Sequence, residues 1–222
     1  MTTLQHPPTA QQFCLRGISW QTYVTLRDAP ENDHVRMTYD RGDLQMMSPS
    51  KRHEQRATVL DLLIHAWAEE LGIDILGCGM MTCRREDLDR GFEPDKCYYV
   101  QHAAAMRAKE ELDLTADPPP ELAVEIDVSR KSTGKLDLYA AFGIPEVWRY
   151  DDVALTIYRL DPGRQYEGAM SSAVFPGFPL AEAERRLGQV DTVSETTLVK
   201  SFRQWIRANA LPRPEGDQGS SM

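Results

Sequence analysis

Apolar residues along this chain recur at a period of two in some stretches and near 3.6 in others, and the switches between them mark out the elements. Ile18 to Leu26 reads as a short helix, with Ser19 as its N-cap and Trp20, Tyr23 and Val24 on one face. HVRMTY and DLQMMSPS alternate on either side of Asp40-Arg41-Gly42, a turn between two strands. From Lys51 to Leu71 the stripe His53, Ala57, Leu60, Ile64, Trp67 and Leu71 predicts a long helix, and Gly72 follows at its C-terminal cap. Three strands are expected next: IDILGCGMMTC, FEPDKCYYV and ELAVEIDVS. Between the last two, a charged stretch ending in Pro118-Pro119-Pro120 reads as a connection. A helix over about Ser132 to Phe142 is broken by Gly143 and Pro145. PEVWRYD and ALTIYRLD then form a hairpin, SSAVFPGFPL a short bent strand, and Glu195 to Ala208 a last amphipathic helix.

This order predicts one α/β domain over residues 18–210, with a loose arm at 1–17 and a disordered tail at 211–222. The 222 residues, 41% hydrophobic and 27% charged, have an ordinary globular composition. No apolar run reaches the roughly 18–20 residues that span a bilayer, and the polar N-terminus lacks a signal-peptide core, so a cytoplasmic location without membrane association is expected. Cys14, Cys78, Cys83 and Cys97 show no paired spacing for zinc and read as reduced thiols. The net charge of −9 counts against tight, non-specific nucleic-acid binding but leaves room for a small basic patch around an acidic, metal-loaded site.

The chemistry gathers between Phe92 and Tyr150. Asp95 follows Pro94, Glu125 and Asp127 share one face of the next strand, and Lys135 shares the apolar face of the following helix with Leu138, Tyr139 and Phe142. Two carboxylates on neighbouring strands can hold Mg²⁺ or Mn²⁺, and an inward lysine beside them can orient water or steady a phosphate. Those are the parts of a phosphodiester-cleaving site. The plainer readings stand beside them. Asp95 also suits a turn, Glu125 and Lys135 a structural ion pair, Asp127 a strand end or outer ligand, and Lys135 a snorkelling side chain. Lys51, Arg52, Arg56, Arg84, Arg85, Arg130 and Lys131 are the basic groupings available for a DNA track, or simply a solvated face.

Pro94-Asp95, then Glu125 and Asp127, then the run from Lys135 to Asp151 (KLDLYAAFGIPEVWRYD) together resemble the Uma2 family of restriction-endonuclease-like proteins. The likeness runs from about Ile18 to Trp205, takes in DRGDLQMMSP with His53 shortly after and the later FPGFPL, and is strongest from Glu121 to Asp151. It implies a restriction-endonuclease-like core of the PD-(D/E)xK type, a central mixed β-sheet flanked by helices. It also implies Mg²⁺ or Mn²⁺ at Asp95 and Glu125, with Asp127 and an acidic residue of the first long helix, Glu54, as further ligands and His53 beside them. Lys135 then stands for the motif lysine, whose usual position two after Glu125 is held by Asp127. The implied activity is metal-dependent hydrolysis of DNA. Cleavage of RNA or a branched nucleic acid is a variant of it, and a non-catalytic nuclease-fold binding module is the rival reading. Cutting both strands of a duplex would favour a homodimer.

Overall fold

A computed structural model of the chain describes residues 11–127 and 135–210. In chain order it holds β1 (Gln11–Leu15), α1 (Trp20–Arg27), β2 (Arg36–Asp40), β3 (Asp43–Ser48), α2 (Lys51–Leu71), β4 (Leu76–Gly77), β5 (Cys83–Arg85), β6 (Arg90–Phe92) and β7 (Lys96–Tyr99). There follow α3 (Ala103–Arg107), β8 (Leu122–Ile126), α4 (Lys135–Phe142), β9 (Glu146–Tyr150), β10 (Leu155–Leu160), β11 (Tyr166–Ala169), α5 (Leu180–Leu187) and α6 (Glu195–Asn209). The strands build two sheets. One has six strands in the order β11-β10-β9-β8-β7-β4, mixed because β8 and β9 run parallel; the other has five, in the order β1-β3-β2-β6-β5, all antiparallel. The expected mixed sheet flanked by helices is present, and the antiparallel sheet is an addition to it.

Local rules account for most boundaries. Ser19 and Ser50 cap α1 and α2 by accepting the amides of Thr22 and His53. Gly72 ends α2 in the left-handed conformation, φ 67°. Arg41 and Gly42, at φ 48° and 95°, make the two-residue turn that sets Asp40 opposite Asp43. Along β8 the period of two sorts the side chains. Leu122, Val124 and Ile126 pack with Leu60, Leu63 and Ile64 of α2 and Phe202 and Ile206 of α6. Ala123 faces Leu138, Tyr139 and Phe142 of α4. Glu125 shares that second face and so comes to lie beneath α4.

Several expectations need correction. Residues 11–15, at the end of the expected arm, are β1, an edge strand paired with β3; its pattern is weak because both its faces are exposed and backbone bonding holds it. Residues 1–10, Arg130 and Lys131, the start of the helix at Ser132 and the tail at 211–222 lie outside the described residues. The stretch expected as one strand from Ile73 to Cys83 supplies only the two residues of β4 to one sheet, and Cys83 begins β5 in the other. FEPDKCYYV is likewise not one strand. Phe92 ends β6 and Lys96 begins β7, so the chain crosses between sheets at Glu93-Pro94-Asp95, where Pro94 has no amide to give a ladder. No strand forms in SSAVFPGFPL: Glu146 accepts from Ser172 Oγ and the Ala173 amide and folds that segment into turns, while the pairing with β10 falls to β11. No helix among the described residues is long and apolar enough to cross a membrane.

Two stability tests follow from this packing. Gly91 lies in β6 against the ring of Tyr23, and a Cβ there would meet the Tyr23 hydroxyl well inside van der Waals contact. Tyr23 is buried and stacked on Tyr39 with ring centroids 4.8 Å apart, so it has no room to retreat. Gly91→Ala is expected to cost about 1–3 kcal/mol, read as a lower urea midpoint at unchanged slope.

Asp61 of α2 accepts from the Tyr98 hydroxyl at 2.5 Å and lies 3.4 Å from Lys96 Nζ and 3.5 Å from His65 Nε2. Burial opposes its charge, but His65, Tyr98 and Lys96 outweigh it and lower its pKa from 3.8 to about 2. A depressed carboxylate stabilises the fold above its unfolded pKa, and that stability is lost as pH falls through the folded value. Asp61→Asn should therefore cost about 2 kcal/mol at pH 7, with the gap to wild type closing between about pH 4 and pH 2 in urea melts.

Candidate functional site

The crossing between the two sheets carries the site. In the antiparallel pairing of β7 with β8, Lys96 stands opposite Val124; Asp95 is the residue just before that pair on one side and Glu125 the residue just after it on the other, close enough for their charges to act on each other. Asp95 is 3% exposed, its Oδ2 accepting the Ile126 amide at 2.8 Å and lying 3.0 Å from His53 Nε2. Its Oδ1 is 3.7 Å from Arg36 Nε, beyond hydrogen-bond reach. Glu125 is buried on the α4 face, with Oε2 2.7 Å from Lys135 Nζ and Oε1 accepting the Tyr139 hydroxyl. Asp95, Glu125, Lys135 and His53 are thus brought together by β7, β8, α4 and α2.

The charges of these groups follow from their neighbours. Burial resists ionisation of Asp95, but the hydrogen bond from His53, the His53 and Lys135 charges and the Ile126 amide hold its pKa below the ordinary carboxylate value. For Glu125, burial and the facing Asp95 charge win over Lys135 and Tyr139, and its pKa is raised. Burial works against the Lys135 charge, but Glu125, Asp95 and Asp127 raise its pKa all the same. His53, also opposed by burial, is lifted to about 9 by Asp95 and Glu54, so the imidazole is protonated at neutral pH.

The other predicted residues sit further out. Asp127 lies past the end of β8; its amide donates to Tyr150 O at 2.7 Å and its Oδ2 accepts from Arg149 Nε. Glu54, 47% exposed, is turned toward Arg36 Nη2 at 3.3 Å and His53 Nδ1 at 3.5 Å. Four of the basic residues expected for a DNA track pair with carboxylates of the chain itself. Arg56 is buried against Asp152 and Asp191, and Arg52, Arg84 and Arg85 pair with Asp152, Asp28 and Asp87. The sequence reading passed over Arg36, and it took Tyr139 as packing alone. Arg36 alternates with Met37 and Tyr39 along β2, which reads as a solvent-facing position. For Tyr139 the signal was present, since it lies one turn from Lys135 on the same face.

Asp95 and Glu125 match a hard divalent cation in donor type. They are oxygen donors, one just before β7 and one on β8, whose mutual repulsion such an ion would relieve. Among the described residues no group of three or more His, Cys, Asp or Glu side chains stands ready as a ligand set, so further ligands would be water or a shifted side chain.

A family model described as "Putative restriction endonuclease", Uma2, matches residues 20–182. The chain belongs to the Uma2 family. No curated protein sequence matches it. Among solved structures it is similar to the crystal structure titled as a putative nuclease belonging to DUF820 from Anabaena variabilis, at 17% identity and a TM-score of 0.52, over 83% of this chain and 99% of that one. At that identity the likeness speaks for a shared fold, consistent with the Uma2 assignment. The span matched by the family model contains Arg36, His53, Asp95, Glu125, Lys135 and Tyr139.

Lys135 and Glu125 compensate each other in the site as it stands. Lys135→Met leaves a buried carboxylate without its cation and is expected to cost about 2–4 kcal/mol. In a double-mutant cycle by urea unfolding, adding Glu125→Gln should restore much of that loss.

Proposed function

We propose that this Uma2 protein is a metal-dependent endonuclease that hydrolyses phosphodiester bonds in DNA. The observation that carries this reading is Asp95 at the sheet crossing, accepting the Ile126 amide beside Glu125, with Lys135 Nζ 2.7 Å from Glu125. Asp95 and Glu125 would hold Mg²⁺ or Mn²⁺, with Asp127 and Glu54 within the same neighbourhood as outer ligands. The cation supplies neutralising charge at the phosphate and a more acidic bound water.

The remaining work belongs to the chain's own groups. His53 and the Ile126 amide fix the Asp95 carboxylate in one orientation, and Tyr139 does the same for Glu125. Lys135, 2.7 Å from Glu125, is the chain's own cation that would donate to a phosphate oxygen or hold the attacking water. Departure of the 3′-oxygen from phosphorus leaves a 5′-phosphate and a 3′-hydroxyl.

A second reading, a nuclease-fold module that binds without cutting, draws support from the way Lys135 and Tyr139 already occupy both oxygens of Glu125. One experiment separates the two. Mn²⁺ and Mg²⁺ are titrated calorimetrically into wild type, Asp95→Ala and Glu125→Gln, and each protein is then assayed for plasmid nicking in Mn²⁺. The nuclease reading expects metal uptake and nicking by wild type alone, with cleavage lowered at least about a hundredfold in each variant. Folded wild type that takes up no metal and leaves the plasmid intact would transfer the assignment to the binding module.

A further inference from the structure

The antiparallel sheet contributes to the site the side chain of Arg36 of β2, and this largely buried arginine differs from the three fully buried ones among the described residues. Arg27 donates to Val35 O at 2.7 Å and to Glu93 at 3.3 Å. Arg56 binds Asp152 and forks onto Asp191 at 2.9 and 3.3 Å. Arg186 reaches Glu182 O and Ser201 O, each at 3.0 Å. Among the described residues, the buried arginine nitrogen without a hydrogen-bond partner is Arg36 Nε. The Arg36 side chain is only 11% exposed, and that nitrogen lies 3.7 Å from Asp95 Oδ1.

A second buried donor beside it is also open, His53 Nδ1. Both side chains converge on one oxygen. Glu54 Oε1 is 3.3 Å from Arg36 Nη2 and 3.5 Å from His53 Nδ1, long for charge-assisted hydrogen bonds. Glu54 is half-exposed and reaches in from the first turn of α2. An anionic oxygen therefore already rests between these donors, loosely held and free to swing out to water. A guanidinium offers a planar fork that suits a phosphate better than a single carboxylate oxygen.

We propose that Arg36 is the phosphate-binding residue of this site. It takes the phosphodiester of the bound strand on Nε and Nη2, in the place that Glu54 Oε1 occupies when no nucleic acid is present. The proposal rests on the nuclease reading and adds to it the second wall of the site. Lys135 of α4 and Arg36 of β2 both act on Asp95, so the mixed sheet's helix and the antiparallel sheet each bring a cation to the site. It also fits the net charge of −9, because strand binding would rest on a few cations held at the seam instead of on a basic surface.

The test measures anisotropy of a fluorescein-labelled DNA duplex across a salt series in EDTA and again in Ca²⁺, for wild type, Arg36→Gln, Arg36→Lys and Glu54→Gln. Thermal melts check folding, and Mn²⁺ calorimetry reports the metal site separately. Arg36→Gln is expected to weaken DNA binding at least about tenfold and to lower the salt slope by about one phosphate contact, while Mn²⁺ uptake is retained or strengthened because a positive charge beside Asp95 is gone. Arg36→Lys should fall between, keeping the charge without the fork. Glu54→Gln should bind the duplex more tightly in EDTA, since the competing carboxylate is gone. Wild-type affinity and salt slope in folded Arg36→Gln would overturn the proposal; should that variant not fold, unchanged affinity in Arg36→Lys would do so. Metal uptake by wild type together with an indifferent Arg36 defeats this inference alone. A wild type that takes up neither Mn²⁺ nor DNA defeats the nuclease reading and this inference with it.

Discussion

The Asp95 carboxylate sits where the chain leaves one sheet for the other, and the arrangement of the site depends on its being ionised there. Its Oδ2 holds the Ile126 amide at the end of β8 and His53 on α2, and its Oδ1 faces Arg36 across the seam. Glu93, two residues earlier, ties the same crossing to β2 through the Met37 amide, to α1 through Arg27 and to Thr82. Two neighbouring carboxylates thus fasten the sheets together. One is wholly structural, while the other faces Glu125 and a lysine.

Buried ion pairs are an inefficient way to stabilise a fold, because desolvation offsets most of the attraction and apolar residues of like volume often do as well or better. Here Asp95 with His53, Glu125 with Lys135 and Asp127 with Arg149 are packed into one short seam between well-filled apolar clusters. The concentration of charge makes sense if the groups exchange partners when a cation and a phosphate arrive. In the absence of either, each acid is held by a base of the same chain, which keeps the site from being a nest of repelling carboxylates.

The same economy governs the surface. Arginines that a reader of the sequence would lay along a DNA track are instead drawn to Asp28, Asp87, Asp152 and Asp191. Arg56 in particular pins the N-terminal half of α2 to the turn after β9 and to the segment before α6. Such pairing holds α2, and with it His53, in place, which is a structural use of charge that a count of basic residues does not reveal.

The long helix, the β2–β3 hairpin, the parallel pair around α4 and the last helix were all legible in the sequence. Period, caps and turn residues act within a few positions of one another, and each of these elements declares itself locally. Asp95, Glu125 and Lys135 were legible too, because carboxylates and a lysine among apolar neighbours stand out on a strand or helix face. What the local pattern could not carry was the splitting of FEPDKCYYV between two sheets, or the pairing of β1 and β11. Short exposed strands are decided by which backbone groups remain open elsewhere. Arg36 shows the limit most plainly. On β2 its alternation with Met37 and Tyr39 reads as solvent-facing, and only the packing of the second sheet against the crossing at Asp95 covers most of that side chain. The sequence by itself determined the identity and charge of the groups; tertiary structure decided which of them meet, because the contacts that set those meetings span residues far apart in the chain.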